Sequence, residues 1–198
     1  KMIGEILNSS KLEDTKRLYE IVASVKSRAQ VNLTGAGHST AVLRAAAYSS
    51  PMAAFQDEMA GIGYYQFIEK LEKDFEQRKE ETVEELCKLM KKILRPENFM
   101  ISYTGERESL ETVQKLAGAV KAGLGTEPVE KSKEKLTCTK KNEGFKTSGQ
   151  VQYVAQTGNF KKKGLEYTGA LEILKVILSY DYLWMNLRVK GGAYGCMS

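Results

Sequence analysis

The sequence reads as α+β: a long helical stretch, then two short alternating segments with helices beside them. Three observations carry that reading. Apolar residues recur at helical spacing through the first 95 of 198 residues. NFMISYTG (Asn98–Gly105) and QVQYVAQTG (Gln150–Gly158) alternate and are rich in aromatic and β-branched residues, which predicts strands. A long apolar run then covers Tyr167 to Tyr180 and predicts a helix.

The first helix is predicted from about Asp14, with Leu18, Ile21, Val22, Val25 and Ala29 on one face, until Gly35 and Gly37 interrupt it. A second runs from Ser39 to Tyr48. Pro51 suits the first turn of a third, with Met52, Phe55 and Met59 on one face and a stop near Gly61. Tyr64, Phe67, Ile68, Leu71 and Phe75 form the next stripe. Thr82 with Glu85 has the capping-box spacing and predicts a helix start that would bury Val83, Leu86, Met90 and Ile93 or Leu94. Arg95-Pro96 ends it. After the first predicted strand, a helix from Ser109 to about Gly123 places Leu110, Val113, Leu116 and Val120 inward. A shorter helix, Asp181–Arg188, leads into Gly191-Gly192 and the start of another strand.

Composition between Gly123 and Gly149 shifts to Gly, Lys, Thr and Glu with little periodicity, which predicts a linker. The expected organisation is therefore residues 1–125 as a helix-rich later part of one domain, 126–149 as a lysine-rich linker, and 150–198 as the opening part of another. A lone strand needs sheet partners, and about fifty residues are too few for a core of their own. Both units read as incomplete, and the chain as a piece of something larger.

The charge balance of +5 is mild and concentrated at Lys131, Lys133, Lys135, Lys140, Lys141 and Lys146, then Lys161 to Lys163. Such a stretch can hold phosphates, but nucleic-acid readers usually add arginines and exposed aromatics, so a solvated linker is the favoured reading. No run approaches the ~20 apolar residues of a membrane span, and the N-terminal stretch lacks a signal-peptide pattern. Cys87, Cys138 and Cys196 are odd in number and widely spaced, which argues against a disulfide framework and for a reducing compartment. Cytoplasm is expected, with an organelle matrix as the alternative.

No catalytic set is complete. His38 is the one histidine, so paired-imidazole zinc motifs are absent and no metal ligands are assigned. TGAGHST (Thr34–Thr40) lacks the Gly-Lys-Ser/Thr ending of a phosphate loop. Cys87 falls mid-helix with no base in view. The remaining candidate is LRVKGGAYG (Leu187–Gly195). Arg188 offers several donors to peptide carbonyls or a carboxylate, and Tyr194, six residues on, offers a directional hydrogen bond to an oxygen gaining charge. Gly191 and Gly192 between them permit close approach of another backbone. A helix C-cap with a packed tyrosine is the plainer alternative.

LRVKGGAYG resembles the Arg…Tyr motif of the insulinase or pitrilysin-type zinc metallopeptidases, with the spacing of the presequence protease and falcilysin branch. GHSTAVLRAAAYSSPMAAFQDEMAGIGYYQFIEKL is similar to that branch's third domain, and VQYVAQTGNF with GALEILKVILSYDYLW resembles the entry to its fourth. The resemblance covers nearly the whole chain. It implies a clamshell of four homologous domains, each packing helices on a mostly antiparallel sheet. Catalytic zinc would be held by an inverted His-x-x-Glu-His motif in the N-terminal half, which this chain lacks, and unfolded peptide would be enclosed between the halves. Arg188 and Tyr194 then match the family's substrate-anchoring and oxyanion-stabilising residues, with Gly191 and Gly192 beside the substrate. The expected function is a C-terminal-half piece of a zinc-dependent endopeptidase, inactive alone, whose partners are unfolded peptide and its own N-terminal half, with no membrane or nucleic-acid partner. The alternatives are a non-catalytic peptide-binding relative and, behind it, a basic nucleic-acid module.

Overall fold

The structure, a computed structural model, describes residues 2–129 and 135–198. Lys131 and Lys133 of the lysine-rich stretch, and residues 130–134 of the expected linker, lie outside the described residues. The fold divides into two units, Lys1–Gln156 and Thr157–Ser198.

The first unit contains α1 (Met2–Ser9), α2 (Thr15–Gly35), α3 (Gly37–Ala47), α4 (Pro51–Ala60), α5 (Ile62–Lys73), α6 (Phe75–Ile93) and α7 (Leu110–Ala122). Local chemistry sets several boundaries. The Asp14 carboxylate accepts from the Arg17 backbone N–H at 3.0 Å and so caps α2. Ser50 caps α4 from the Ala53 N–H, and Pro51 takes the first turn, where its missing N–H removes no helix bond. The core forms where α2, α5 and α6 meet: Val22, Ile68 and Phe75 are buried, with Leu18, Val25, Tyr64 and Leu71 packed around them. Phe75 is 1% exposed and its ring centroid lies 5.4 Å from that of Tyr19. Burying a side chain of that size contributes roughly 1.5–3 kcal/mol. A Lys26–Glu72 ion pair fastens α2 to α5 beside this core, and raises the Lys26 pKa through the hydrogen bond to Glu72.

The α+β expectation, with helices on a mostly antiparallel sheet, is overturned. Among the described residues there is no strand and no sheet. Asn98 ends a 3-10 turn, Pro96–Asn98, and residues 99–105 and 150–158 carry no ladder. Alternation only sorts side chains to two sides; a strand exists through backbone bonds to a neighbour. Here the aromatic residues serve other contacts. The Tyr103 hydroxyl donates to the Glu106 carbonyl at 2.9 Å, and the Tyr153 ring lies against Gly37 and His38 of α3, its centroid 6.3 Å from the imidazole's. Met100 and Val154 are 89% and 85% exposed, so the alternation buries no common face.

Two helix details also differ from expectation. α6 runs unbroken through Thr82, whose hydroxyl donates back to the Arg78 carbonyl at 2.8 Å rather than capping a new helix. On α7, Val113 and Val120 are half-buried, whereas Leu110 and Leu116 face solvent.

The second unit starts with a 3-10 turn, Phe160–Lys163, capped by the Asn159 side chain and closed by Gly164 at φ +75°. α8 (Ala170–Ile177) then continues directly into a π-helical segment, Leu178–Val189. The two predicted helices, Tyr167–Tyr180 and Asp181–Arg188, are thus one continuous rod with a change of pitch. π-Helix is rare, and its usual single-turn form is frequent at functional sites.

Candidate functional site

The π-segment ends at the candidate motif. Its closing bond runs from the Lys190 N–H to the Met185 carbonyl, five residues back, at 3.1 Å. Gly192, at φ +72°, turns the chain over: its N–H donates to the Arg188 carbonyl and the Ala193 N–H to the Leu187 carbonyl, both at 3.0 Å. This is a helix closure of the Schellman kind, each bond spanning one residue more than in the Schellman closure of an α-helix. A side chain at Gly191 would bring its Cβ to 2.6 Å from the Leu187 carbonyl oxygen, so this position too is held for glycine.

The turn brings Arg188 and Tyr194 together. The Arg188 Nη1 donates to the Tyr194 main-chain oxygen at 2.6 Å, and the guanidinium stands over the Trp184 ring, 4.4 Å from its centroid. No carboxylate pairs with Arg188 among the described residues, so its charge and the rest of its donor fork face solvent. The Tyr194 residue is 94% exposed, with its phenol outside any packed surface. Gly191 and Gly192 lie between them in the turn. The arrangement can donate several hydrogen bonds to one incoming oxygen-rich backbone.

A second polar constellation lies in the first unit, and it is already saturated. Asp57 of α4 is the one buried charged side chain among the described residues, 3% exposed. Its carboxylate accepts from the Ile62 N–H at 3.0 Å and the Gly63 N–H at 3.1 Å, capping α5, and from the Arg44 Nη1 at 2.6 Å. Arg44 Nε and Nη2 reach the two oxygens of Glu143 at 2.8 and 3.1 Å, and the Tyr48 hydroxyl donates to Glu143 as well. The bidentate Arg44 contact holds the Glu143 carboxyl below the usual carboxylate range. Burial, followed by the Glu143 bond, pushes the Tyr48 phenol up. Above this clasp, residues 141–155 run alongside α2 and α3, and a cleft of about 820 Å³ lies between them, lined by Gln30, Thr34, Ala41 and Tyr65 among others.

Two family models match the chain. The model for the associated domain of M16 peptidases, subfamily C, matches residues 1–71, and "PreP C-terminal domain" matches residues 142–198. Similar proteins include Protein HypA of Clostridium perfringens, 35% identical over 198 residues, 100% of this chain and 20% of that protein. Presequence protease 1, chloroplastic/mitochondrial, of Arabidopsis thaliana is 27% identical over 194 residues, covering 96% of this chain and 18% of that protein. The mitochondrial presequence protease of Yarrowia lipolytica is 27% identical over 202 residues, 98% of this chain and 20% of its own length. The two models and these relatives together support a piece of a presequence protease-like M16 peptidase. It spans about a fifth of the length of these relatives.

Within this M16-like chain the saturated clasp joins the two matched segments, since Arg44, Tyr48 and Asp57 fall in the first and Glu143 in the second. Arg188 and Tyr194 also fall in the second. Among the described residues no group of three or more His, Cys, Asp or Glu side chains is placed to hold a metal ion. No helix is long and apolar enough to cross a membrane among those residues. Sequence reasoning missed Asp57, whose signal was Gly61 and Gly63 four and six residues on, and missed Trp184, one turn before Arg188.

Proposed function

We propose that this chain supplies the peptide-holding and oxyanion-stabilising side chains of a zinc-dependent endopeptidase that degrades unfolded peptides. The observation that carries the reading is the joint presentation of Arg188 and Tyr194 on one turn: the guanidinium has no carboxylate partner among the described residues and the phenol is open to solvent. Similarity to presequence protease-like M16 peptidases supports a peptide as what they meet.

The Arg188 fork donates to carbonyls or a carboxylate of the bound peptide, a geometry that fixes register as well as charge. Gly191 and Gly192 let the peptide backbone come close. The Tyr194 phenol donates to the carbonyl oxygen as it gains negative charge under attack, where a hydrogen bond is stronger than in the ground state. The described residues do not fit a zinc site: one histidine and three free, separated cysteines give no ligand set among them. Zinc and the general base belong, in this proposal, to other parts of the polypeptide. The partners are the peptide and that remainder. The free cysteines support a reducing compartment, cytoplasm or organelle matrix.

The test is Tyr194→Phe in the full-length polypeptide, assayed on an unstructured peptide. Loss of one oxyanion donor costs about 100-fold to 1000-fold in kcat, and that is the expected result. A kcat within about twofold of the parent would overturn the role of Tyr194.

A further inference from the structure

The Arg188 side chain is long and single-bonded to its anchor, and a free arginine loses much rotamer entropy when a ligand fixes it. Two contacts reduce that freedom before any peptide arrives. One hydrogen bond, Nη1 to the Tyr194 carbonyl at 2.6 Å, holds one nitrogen in place but leaves the plane free to swing about it. The indole of Trp184, with its ring centroid 4.4 Å from the guanidinium carbon, restricts the swing, because the cation is attracted to the ring face. Trp184 is itself half-exposed and sits one turn before Arg188 on the π-segment. In the same segment the Asn186 side chain donates to the Tyr182 carbonyl at 2.8 Å.

We propose that Trp184 is a positioning residue for the peptide-anchoring step. It holds the Arg188 guanidinium over the indole face, so that the edge not engaged with Tyr194 presents its N–H donors in one preferred orientation to the incoming peptide. Trp184 touches no reacting atom and acts through Arg188. The inference rests on the reading of Arg188 as the peptide anchor, and it adds the residue that orients it.

The experiment compares Trp184→Leu, Trp184→Phe and Arg188→Ala in the full-length polypeptide, measuring KM and kcat on one unstructured peptide. Trp184→Leu should raise KM about threefold to fivefold, the fold-change equivalent of an exposed cation–π contact, with kcat within about twofold. Trp184→Phe keeps an aromatic face and should stay within about 1.5-fold of the parent KM. If Trp184→Leu and Trp184→Phe raise KM equally, or if Trp184→Leu lowers kcat as much as it raises KM, the positioning role is overturned. An unchanged KM for Trp184→Leu alongside a raised KM for Arg188→Ala overturns the role of Trp184 while leaving the anchor intact. An unchanged KM for Arg188→Ala overturns the anchor and its positioning residue together. A second readout is independent of activity. In the full-length polypeptide the Trp184 emission is the difference between the parent spectrum and that of Trp184→Phe, Trp184 being the one tryptophan among these 198 residues. Arg188→Ala should change the emission intensity measurably, and a superimposable spectrum would overturn the stacking.

Discussion

Arg44 and Arg188 each lie against aromatic rings, yet the two guanidiniums are engaged in opposite ways. Arg44 is 5.8 Å from the Tyr48 ring centroid and 5.7 Å from that of Phe145, and its nitrogens reach two carboxylates, Asp57 and Glu143. Those bonds, the one to Glu143 foremost, hold its pKa above the ordinary arginine value. Arg188 has an indole and one backbone carbonyl. A carbonyl orients a guanidinium without neutralising it. Arg44 is therefore spent inside the fold, and Arg188 keeps a full charge and most of its donors for a ligand.

The largest expected effect belongs to the first of these arginines. Arg44→Met should lower the unfolding free energy of the chain by about 2–4 kcal/mol, because it leaves the buried Asp57 carboxylate with backbone partners alone. Urea unfolding measures this, and an unchanged midpoint would show that the clasp adds nothing. Arg188→Ala should move that midpoint by no more than about 0.5 kcal/mol, as an exposed side chain does. Its effect should instead be a KM for peptide raised about tenfold, some 1.4 kcal/mol of capture. Equal destabilisation by the two substitutions would erase the distinction. Gly192→Ala places a side chain at φ +72° and should cost about 1 kcal/mol, read by the same denaturation and accompanied by a raised KM, since the turn carries Tyr194.

The smallest effect is acid sensitivity. The Glu143 carboxyl is held below its ordinary value of 4.5, so its contribution is complete above that pH and is lost as pH falls through the lower folded value. Amide exchange or limited proteolysis across residues 141–149 should thus be flat from neutral pH down to about pH 5 and rise only in stronger acid. Glu143→Gln should remove that rise; if the rise persists unchanged, another carboxyl governs it.

The reach of the sequence reading follows the range of the interactions. Helices α2 to α5 were legible because their stripes are periodic over several turns, and Ser50-Pro51 marks a boundary within three residues. The Arg188–Tyr194 motif was legible because its parts lie six residues apart. Asp57, Arg44 and Glu143 were not, since Arg44 is 13 residues from one partner and 99 from the other. Nothing local distinguishes Glu143 from other glutamates. Thr82 and the alternating segments failed for a related reason. A hydroxyl that satisfies a capping pattern can equally bond back into a running helix, and alternation does not supply the neighbouring backbone that a strand requires.

The pocket around Asp57 bears on how such chains diverge. A Cβ at Gly61 would overlap the Asp57 carboxylate, and one at Gly63 would come within 2.8 Å of it. Positions 57, 61 and 63 are therefore a single heritable unit. A descendant that gains a side chain at either glycine must give up the buried acid, leaving an arginine at 44 with Glu143 as its carboxylate partner. Across a set of relatives positions 57, 61 and 63 should change together or not at all, and their joint variation would date the loss of the buried acid in any lineage.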